Sequence, residues 1–394
     1  MIIDKKDCSG CSACAYVCPL SCISMTPDDE GFLYPVIDEN ICVNCNKCKD
    51  ICPVFKEEDT GDFERRVFIV QHKDEKIRRE STSGGAFTAI AEYVIENGGV
   101  VFGASYDESF KVVHTSAVTK DELSKFRNSK YAQSDILASY NELKGFLEEG
   151  RLVLYSGTPC QIAGIKRVFG DYENLVTQDV VCHGIPSPLV FEKYIAFQRS
   201  RYSIFDKVYF RDKYSGYTHS TMSLYNNGKC LYHNGIEYDP MLKLFFMEMI
   251  SRPVCSDCHF KTSERVSDFT LWDCFFPQKI NPDFDDNKGT THMLIHSKKG
   301  YEIFESIKDK IRFSEGNAKE ICENSYEMNN SHKPNEKRET FFKDIKLLTA
   351  EELFNKYTPV TFLVKVEKVL RNIFAKLGIY YFMKNVYYKL KRGK

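Results

Sequence analysis

The chain has 394 residues, of which 43% are apolar and 28% charged, and this length and composition predict a globular protein of two or three domains. Its 54 Lys and Arg residues balance 55 Asp and Glu residues, so the global charge does not indicate nucleic-acid binding. Nine of the 16 cysteines lie in the first 55 residues. Residues 1–7 hold no apolar signal stretch, and no apolar run approaches the roughly 20 residues that span a bilayer. We therefore expect a cytoplasmic protein whose cysteines bind metal, rather than a secreted disulfide scaffold.

The cysteines near the N-terminus form two copies of one motif, 34 residues apart. Each copy has the spacing C-x2-C-x2-C-x3-C-P, in which three thiolates bind one [4Fe–4S] cluster and the fourth binds the neighbouring cluster. The first cluster is assigned Cys8, Cys11, Cys14 and Cys52, and the second Cys42, Cys45, Cys48 and Cys18. Residues 1–55 are thus predicted to be a bacterial-type dicluster ferredoxin domain, whose net charge of −4 favours a basic partner. A pair of zinc knuckles is the alternative, because zinc also accepts four thiolates.

A polar linker at residues 56–64 precedes a region with the order strand, loop, helix, strand. Residues 67–70, 100–104, 152–155 and 176–182 are predicted to form strands, and a helix over 86–95 follows Ser83-Gly84-Gly85. This order predicts an α+β fold with an α/β-like core. The backbone N–H groups and the dipole at that helix start attract phosphate, although an ordinary N-cap explains the same residues on local grounds.

Four further cysteines occupy distinctive positions. Cys160 and Cys182 each follow a predicted strand, and Cys255 and Cys258 form a C-x2-C pair. Gathered from three loops at one sheet edge, they would bind a third [4Fe–4S] cluster that acts as a relay. Two unrelated buried cysteines beside a zinc-like pair are the alternative. The remaining cysteines have no partner pattern and are expected to be inert: Cys22, Cys230, Cys274 and Cys322.

Six short blocks occur in order at 81–85 (STSGG), 128–131 (NSKY), 157–161 (GTPCQ), 182–186 (CHGIP), 255–258 (CSDC) and 267–273 (SDFTLWD). On these blocks, residues 1–310 resemble the coenzyme F420 hydrogenase/dehydrogenase beta-subunit family, in the form with an N-terminal dicluster ferredoxin domain. Two positions depart from the family pattern, because Asn128 and Trp272 stand where glycine is common. Since both lie near the expected active site, the resemblance leaves the substrate and the use of the deazaflavin open.

The resemblance implies FAD, [4Fe–4S] clusters, and hydride exchange between the flavin and a substrate or coenzyme. It implies a flavin-binding domain in two parts, 65–150 and 151–330. The remaining residues, 331–394, are predicted from their own pattern to form a basic amphipathic helical tail. It also implies the third cluster on Cys160, Cys182, Cys255 and Cys258. The residues expected to contact the flavin are Ser83, Gly84, Gly85 and Thr158.

This combination predicts an iron–sulfur flavoprotein oxidoreductase. Clusters carry single electrons and a flavin exchanges two, so we expect a path from a ferredoxin or other redox partner to an unidentified small-molecule substrate, or the reverse. There are three catalytic candidates. Lys130 would pair with negative charge on the flavin or substrate, His183 would donate a proton, and Asp273 would form a hydrogen bond near a cluster or the flavin. A solvated lysine and a structural histidine are the alternatives.

Other functions are also consistent with the sequence. The chain could be an electron-transfer adaptor that docks on a partner enzyme without catalysis of its own, or a structural zinc protein. The metabolic settings considered are coenzyme F420-type redox metabolism and polysaccharide biosynthesis.

The C-terminal residues 359–394 carry a net charge of +8, with nine basic residues and one acidic residue. Apolar residues recur there on one helical face, which predicts amphipathic helices. Such helices would either lie on the inner membrane surface as a peripheral contact or pack on the core. Nucleic acid is not expected as a partner, because the sequence contains no recognised nucleic-acid-binding module.

Overall fold

The computed structural model describes residues 2–55, 60–219 and 221–376. The N-terminal segment, residues 2–55, contains an antiparallel hairpin between two short helical turns. Its elements are α1 (Ala13–Tyr16), β1 (Ile23–Pro27), β2 (Leu33–Ile37) and α2 (Lys47–Asp50). The hairpin turn is closed by Asp28, whose Oδ1 accepts hydrogen bonds from the amides of Glu30 and Phe32, each at 3.0 Å.

The two cysteine motifs fold alike. In the first copy the middle cysteine, Cys11, is flanked by Gly10 and Ser12, which have φ angles of 74° and 64°. In the second copy the equivalent neighbours are Asn44 and Asn46, with φ of 53° and 61°. The left-handed conformation is uncommon outside glycine, so its recurrence 34 residues apart shows that the sequence repeat is also a structural repeat.

An eight-stranded mixed sheet forms the centre of the protein, in the order β13-β3-β12-β11-β7-β6-β4-β5. Strands β4, β6, β7 and β11 run parallel to one another, and the remaining neighbours pair antiparallel. The strands are β3 (Arg66–His72), β4 (Val100–Tyr106), β5 (Val112–Ala117), β6 (Val153–Ser156), β7 (Leu175–Val180), β11 (Phe269–Asp273), β12 (Thr291–Ile295) and β13 (Ile311–Gly316). The predicted α/β-like core is confirmed in the broader sense of a mixed α/β fold, and both predicted parts of the flavin domain contribute to this one sheet.

Helices cover the sheet and bury their apolar faces on it. Helix α4 follows the glycine-containing loop and buries Ala89, Ile90 and Val94 completely, while α6 begins at Thr158 with a capping box to Gln161. The helices after the ferredoxin segment are α3 (Glu75–Glu80), α4 (Ala86–Glu96), α5 (Leu137–Glu148), α6 (Pro159–Phe169), α7 (Pro188–Tyr202), α8 (Pro240–Phe246), α9 (Lys298–Ser306), α10 (Ala318–Glu323), α11 (Tyr326–Asn329), α12 (Arg338–Asp344), α13 (Ala350–Tyr357) and α14 (Phe362–Lys376).

A second, three-stranded antiparallel sheet consists of β8 (Lys207–Asp212), β9 (Thr221–Asn226) and β10 (Lys229–Gly235). It shares a hydrophobic core with α7, α8, α12 and α13, in which Phe341 and Leu353 are fully buried. The front half of the predicted tail therefore packs on the body of the protein. Helix α14 begins the basic part, and residues 377–394 lie outside the described residues.

Two further features concern the predicted linker and the possibility of membrane-spanning helices. Residues 56–59 of the predicted linker lie outside the described residues. Within the described chain, none of the helices combines the length and apolar character needed to cross a bilayer.

Candidate redox centre

The structure brings the fourth cysteine of the second motif to the first three cysteines of the first motif. Burial raises the pKa of Cys14, and repulsion from the thiolates of Cys11, Cys8 and Cys52 adds to that increase. Burial likewise raises the pKa of Cys11 to about 12, with further contributions from Cys52 and Cys8. Four cysteines whose thiolates repel one another in a buried space form a suitable donor set for a cationic iron–sulfur core. Three come from the first motif and the fourth from the second, as the spacing predicts.

The second set is nearer the surface. Cys42, Cys45 and Cys48 are close enough that the first two raise the pKa of Cys48, after the larger effect of burial. The Sγ atoms of Cys18 and Cys22 lie 3.3 Å apart, and the hydrogen bond to Cys18 helps raise the pKa of Cys22 to about 12. Charge repulsion from Cys42 also raises the pKa of Cys22. Cys22, which was predicted to be inert, therefore lies at the edge of this set.

The remaining four cysteines with a predicted role converge on one small pocket beside the first set. They are Cys160, Cys182, Cys255 and Cys258. Burial raises the pKa of Cys160 to about 11 and that of Cys255 to about 12, and in each case repulsion from Cys258 contributes. The amide of Ile185 lies 3.3 Å from Cys255 Sγ and donates to it. A [4Fe–4S] cluster or a zinc ion would offset the repulsion among four converging thiolates, and the amide that donates to Cys255 would support its thiolate form.

The local fold explains this convergence. Cys160 lies in the first turn of α6 after β6, and Cys182 lies two residues beyond the end of β7. Strands β6 and β7 are parallel neighbours, so their carboxyl ends meet at the same edge of the sheet. A short 3-10 turn, Pro253–Asp257, brings the C-x2-C pair to that edge.

Helix α6 connects this pocket to the ferredoxin segment. Cys160 and Gly164 are four residues apart and share one face of the helix. A Cβ atom on Gly164 would lie 2.9 Å from Cys11 Cβ and 3.0 Å from Cys11 Sγ, so the helix backbone touches the first cysteine set. Cys160 is also among the thiols that raise the pKa of Cys11. The first set and the third set are therefore adjacent.

A cavity of about 1300 Å³ opens on the other side of the third set, and Cys182 lies in both walls. This volume exceeds the roughly 300–1000 Å³ of ordinary small-molecule sites, so it can hold a dinucleotide-sized cofactor beside a second ligand. Six of the seven predicted cofactor and catalytic residues line it: Ser83, Gly85, Lys130, Thr158, His183 and Asp273.

The seventh residue, Gly84, belongs to the same loop as Ser83 and Gly85 but does not line the cavity. Its amide donates to Thr291 Oγ1 at 2.7 Å, and a Cβ atom there would lie 2.1 Å from the carbonyl oxygen of Val70. Glycine is needed at this position because the loop lies directly against β3 and β12. Gly84 thereby holds Ser83 and Gly85 at the cavity wall.

The cavity wall suits an anionic ligand at two points. Helix α4 begins after Gly85, which has a φ of 87°, and no side chain caps it in the described structure. The buried hydroxyl of Thr88, in the first turn of the same helix, lines the cavity and has no hydrogen-bond partner among the described residues. An uncapped helix start with an unpartnered hydroxyl fits the phosphate groups of a dinucleotide.

Lys130 is the second point. Its Nζ donates to the carbonyl oxygens of Arg127 and Asn128, each at 3.1 Å, and lies 5.6 Å from the ring centroid of Tyr106. Within the described ranges no carboxylate forms an ion pair with it, and desolvation lowers its pKa to about 7. Asn128 has a φ of 67°, which explains why glycine is common at this position and why asparagine replaces it.

Three family models match this chain. They are the 4Fe-4S dicluster domain over residues 7–55, and the coenzyme F420 hydrogenase/dehydrogenase beta subunit, as its N-terminal model over 67–140 and its C-terminal model over 150–320. The chain belongs to the coenzyme F420 hydrogenase/dehydrogenase beta-subunit family. The resemblance drawn from the six sequence blocks is confirmed, and the protein is an iron–sulfur electron-transfer subunit of this family.

Among solved structures, this family member is similar to a chain in the F420-reducing [NiFe] hydrogenase complex from Methanosarcina barkeri. The two chains share 16% sequence identity with a TM-score of 0.46, and the alignment covers 77% of this chain and 92% of that chain. The comparison with curated proteins gave no match.

The other two catalytic candidates of this beta-subunit homologue are held in ion pairs. Asp273, at the end of β11, lies 2.9 Å from Arg211 Nη2 and accepts a hydrogen bond from the Tyr217 hydroxyl at 3.0 Å. His183 Nε2 lies 2.6 Å from a carboxylate oxygen of Glu248. Arg211 and Glu248 were not among the predicted residues, because each comes from a segment that carries no motif.

His183 also contacts a second acid, Glu327, which lies 3.2 Å from its Nδ1. Burial works against the imidazolium charge, but the two carboxylates outweigh it and raise the pKa of His183 to about 9. With both ring nitrogens engaged by glutamates, the geometry favours a positioning role for His183 over that of a free proton donor.

Proposed function

We propose that this subunit is an iron–sulfur flavoprotein oxidoreductase with three [4Fe–4S] clusters and one FAD. The observation that carries the proposal is the shared wall at Cys182, where the third cysteine set meets the large cavity. The order is then second set, first set, third set and cavity. When bound, FAD would supply the exchange between single electrons and a two-electron substrate.

The residues of the chain have separate roles in this proposal. Ser83, Gly85 and the start of α4 bind phosphate through backbone and hydroxyl groups, and Thr158 offers a further hydroxyl near the third set. Lys130 adds a positive charge that no described carboxylate neutralises. Asp273 holds the Arg211 guanidinium at the cavity wall.

The redox partner docks beside the second cysteine set in this proposal. Cys45 is exposed, and apolar side chains around the set are also exposed, with Val43 at 67% and Phe55 at 53%. An apolar patch on a segment of net charge −4 fits a basic partner subunit or another one-electron carrier.

Anaerobic purification followed by iron, sulfide and flavin analysis tests the proposal. We expect about 12 iron atoms, about 12 sulfides and one FAD per chain, from four irons per cluster. Cys160→Ala should lower the iron content to about 8 while the two ferredoxin-type clusters persist. Wild-type protein with about 8 irons and no flavin would instead establish an adaptor subunit, and zinc without sulfide would contradict both functions.

The substrate is tested with the purified flavoprotein. The family membership makes oxidised coenzyme F420 the first compound to assay, with an artificial one-electron donor supplying reducing equivalents. Reduction of F420 would place the protein in deazaflavin metabolism. Failure with F420, in a protein that holds FAD and three clusters, would rule out F420 as the substrate and leave the flavoprotein function standing.

A further inference from the structure

A ring of four side chains lies at the rim of the cavity, around His183. His332, from the loop after α11, faces His183 with its ring centroid 4.3 Å away and an interplanar angle of 35°. Glu248 and Glu327 lie on opposite sides and contact both imidazoles. His183, Glu248 and His332 each contribute one ligand atom to a group whose members lie within 4.8 Å of one another.

Glu327 fixes the tautomers of both histidines. Its carboxylate oxygen Oε2 lies 3.2 Å from His183 Nδ1 and 2.9 Å from His332 Nε2. A carboxylate accepts, so both of these nitrogens donate. Lys261 Nζ, 3.6 Å from the same oxygen, favours the ionised carboxylate. With these two nitrogens donating to Glu327, His183 Nε2 and His332 Nδ1 are the nitrogens left for a ligand. A metal ion bound there would take the place of the proton that the imidazolium form of His183 carries on Nε2.

Glu248 faces these two nitrogens. Its Oε1 lies 2.6 Å from His183 Nε2 and 3.9 Å from His332 Nδ1. The shorter contact does not have hydrogen-bond geometry, and His183 Nε2 is a buried nitrogen with no hydrogen bond to any described residue. Three atoms that can each donate an electron pair to a metal ion therefore converge at this point.

The backbone holds Glu248 in an unusual conformation to achieve this. Its φ is 58°, in the left-handed region that a glutamate rarely adopts. The amide of Asn335 donates to the Glu248 carbonyl at 3.1 Å, and Asn335 Nδ2 donates to the carbonyl of Met247 at 3.0 Å. The segment that supplies His332 thus also fixes Glu248.

We propose that His183, His332 and Glu248 bind a divalent transition-metal ion of the zinc or ferrous class, and that Glu327 orients the two histidines. Two histidines and one carboxylate are the protein ligands of many catalytic zinc and ferrous sites, which keep further positions open. One carboxylate accepting from the outer nitrogens of ligating histidines is the usual outer arrangement of such sites. His183 lines the cavity, so the open position of the ion faces the space left for a substrate. There the ion would bind and polarise a substrate oxygen.

Zinc titration of the anaerobically purified, cluster-loaded protein tests the site. Zinc bound after dialysis is measured by elemental analysis, together with iron and sulfide in the same samples, so that zinc in damaged clusters is recognised. Wild-type protein should bind one zinc equivalent more than His332→Gln or Glu248→Gln. Glu327→Gln should keep the site but weaken zinc binding by about 10–100-fold, the usual effect of losing an outer carboxylate.

The matched control is His233→Gln. The His233 ring stacks on that of Tyr214 with a centroid distance of 3.8 Å and lies outside the group of four side chains. This variant should bind zinc as the wild type does. Equal zinc in wild type, His332→Gln and Glu248→Gln would overturn the site and leave an ion-paired histidine ring. Unchanged zinc affinity in Glu327→Gln would overturn the assignment of ligand atoms. Neither result depends on FAD, so the test is independent of the proposed function.

Discussion

Arg252 is one of the side chains that fasten the ferredoxin segment to the body of the protein, and its removal should loosen that segment. The residue is 1% exposed. Its Nε donates to the carbonyl of Cys8 at 2.7 Å, its Nη2 to the carbonyl of Leu33 at 2.9 Å, and its guanidinium carbon lies 4.0 Å from the Tyr34 ring centroid. Gln133 completes the contact, because its Oε1 accepts from Arg252 Nη1 at 3.2 Å and from the amide of Leu33 at 2.9 Å.

Substitution by methionine keeps much of the volume but removes every donor. Two backbone carbonyls are then left without their charged partner, each at a cost of about 1–3 kcal/mol. The cation–π contact adds about 1 kcal/mol. We expect Arg252→Met to weaken docking of residues 2–55 by about 3–7 kcal/mol, which corresponds to about a 10²–10⁵-fold rise in the undocked population.

Hydrogen exchange read by mass spectrometry measures this docking equilibrium in the native protein. Peptides spanning residues 28–37 should exchange faster in Arg252→Met by the factor above. The control is Lys346→Ala, which removes an exposed 2.9 Å ion pair to Asp29 between the same two parts of the chain and should change little. Exchange in Arg252→Met that matches the wild type would refute the role of Arg252 in docking.

Three further predictions concern the cavity and the partner surface. Gly84→Ala should destabilise the loop by about 1–3 kcal/mol and lower the flavin content, because the new Cβ meets the Val70 carbonyl; thermal denaturation and flavin content measure this. Lys130 has a pKa lowered to about 7, so it is charged below that pH and neutral above it. Affinity for a phosphate-bearing ligand should therefore fall as pH rises from about 7 toward the bound-state pKa in wild type but not in Lys130→Arg, as isothermal titration would show. Val43→Asp should slow electron uptake from a redox partner without loss of iron, and unchanged uptake would rule out this docking surface.

The sequence was informative wherever the chemistry depends on local spacing. The two cysteine motifs lie within short turns, so their repeat was readable, and the strands before Cys160 and Cys182 were predicted from residues 152–155 and 176–182. Strands β11 to β13 were missed because their residues are mixed with polar side chains, such as Thr270 and His292, whose partners come from other strands.

Side-chain pairing across distant segments was not readable. Arg211 and Asp273 are 62 positions apart, and Glu248 meets His183 only because α8 ends next to the start of the loop after β7. Helices α12 and α13 were not predicted individually. For residues 359–394 the sequence left packing on the core and contact with a membrane open, since an amphipathic helix has the same pattern in both places. Tertiary contacts decide such cases.

The contact between α6 and the first cysteine set gives a final prediction about electron flow. A Cβ atom on Gly164 would lie 2.9 Å from Cys11 Cβ and 3.2 Å from the Tyr140 hydroxyl, which itself donates to the Cys11 carbonyl at 2.8 Å. Gly164→Ala must therefore push the helix and the first cysteine set apart by a few tenths of an ångström, although alanine is the better helix former by about 1 kcal/mol.

Gly145→Ala is the matched control, because Gly145 lies in α5 and a Cβ atom there meets nothing within 4 Å. It should stabilise the protein by about 0.5–1 kcal/mol. Gly164→Ala should lose that gain, and its electron transfer from the ferredoxin clusters to the third cluster should be slower in rapid-mixing experiments with freeze-quench EPR. If both variants are equally stabilised and transfer electrons equally fast, α6 is not the structural link between the first and third clusters.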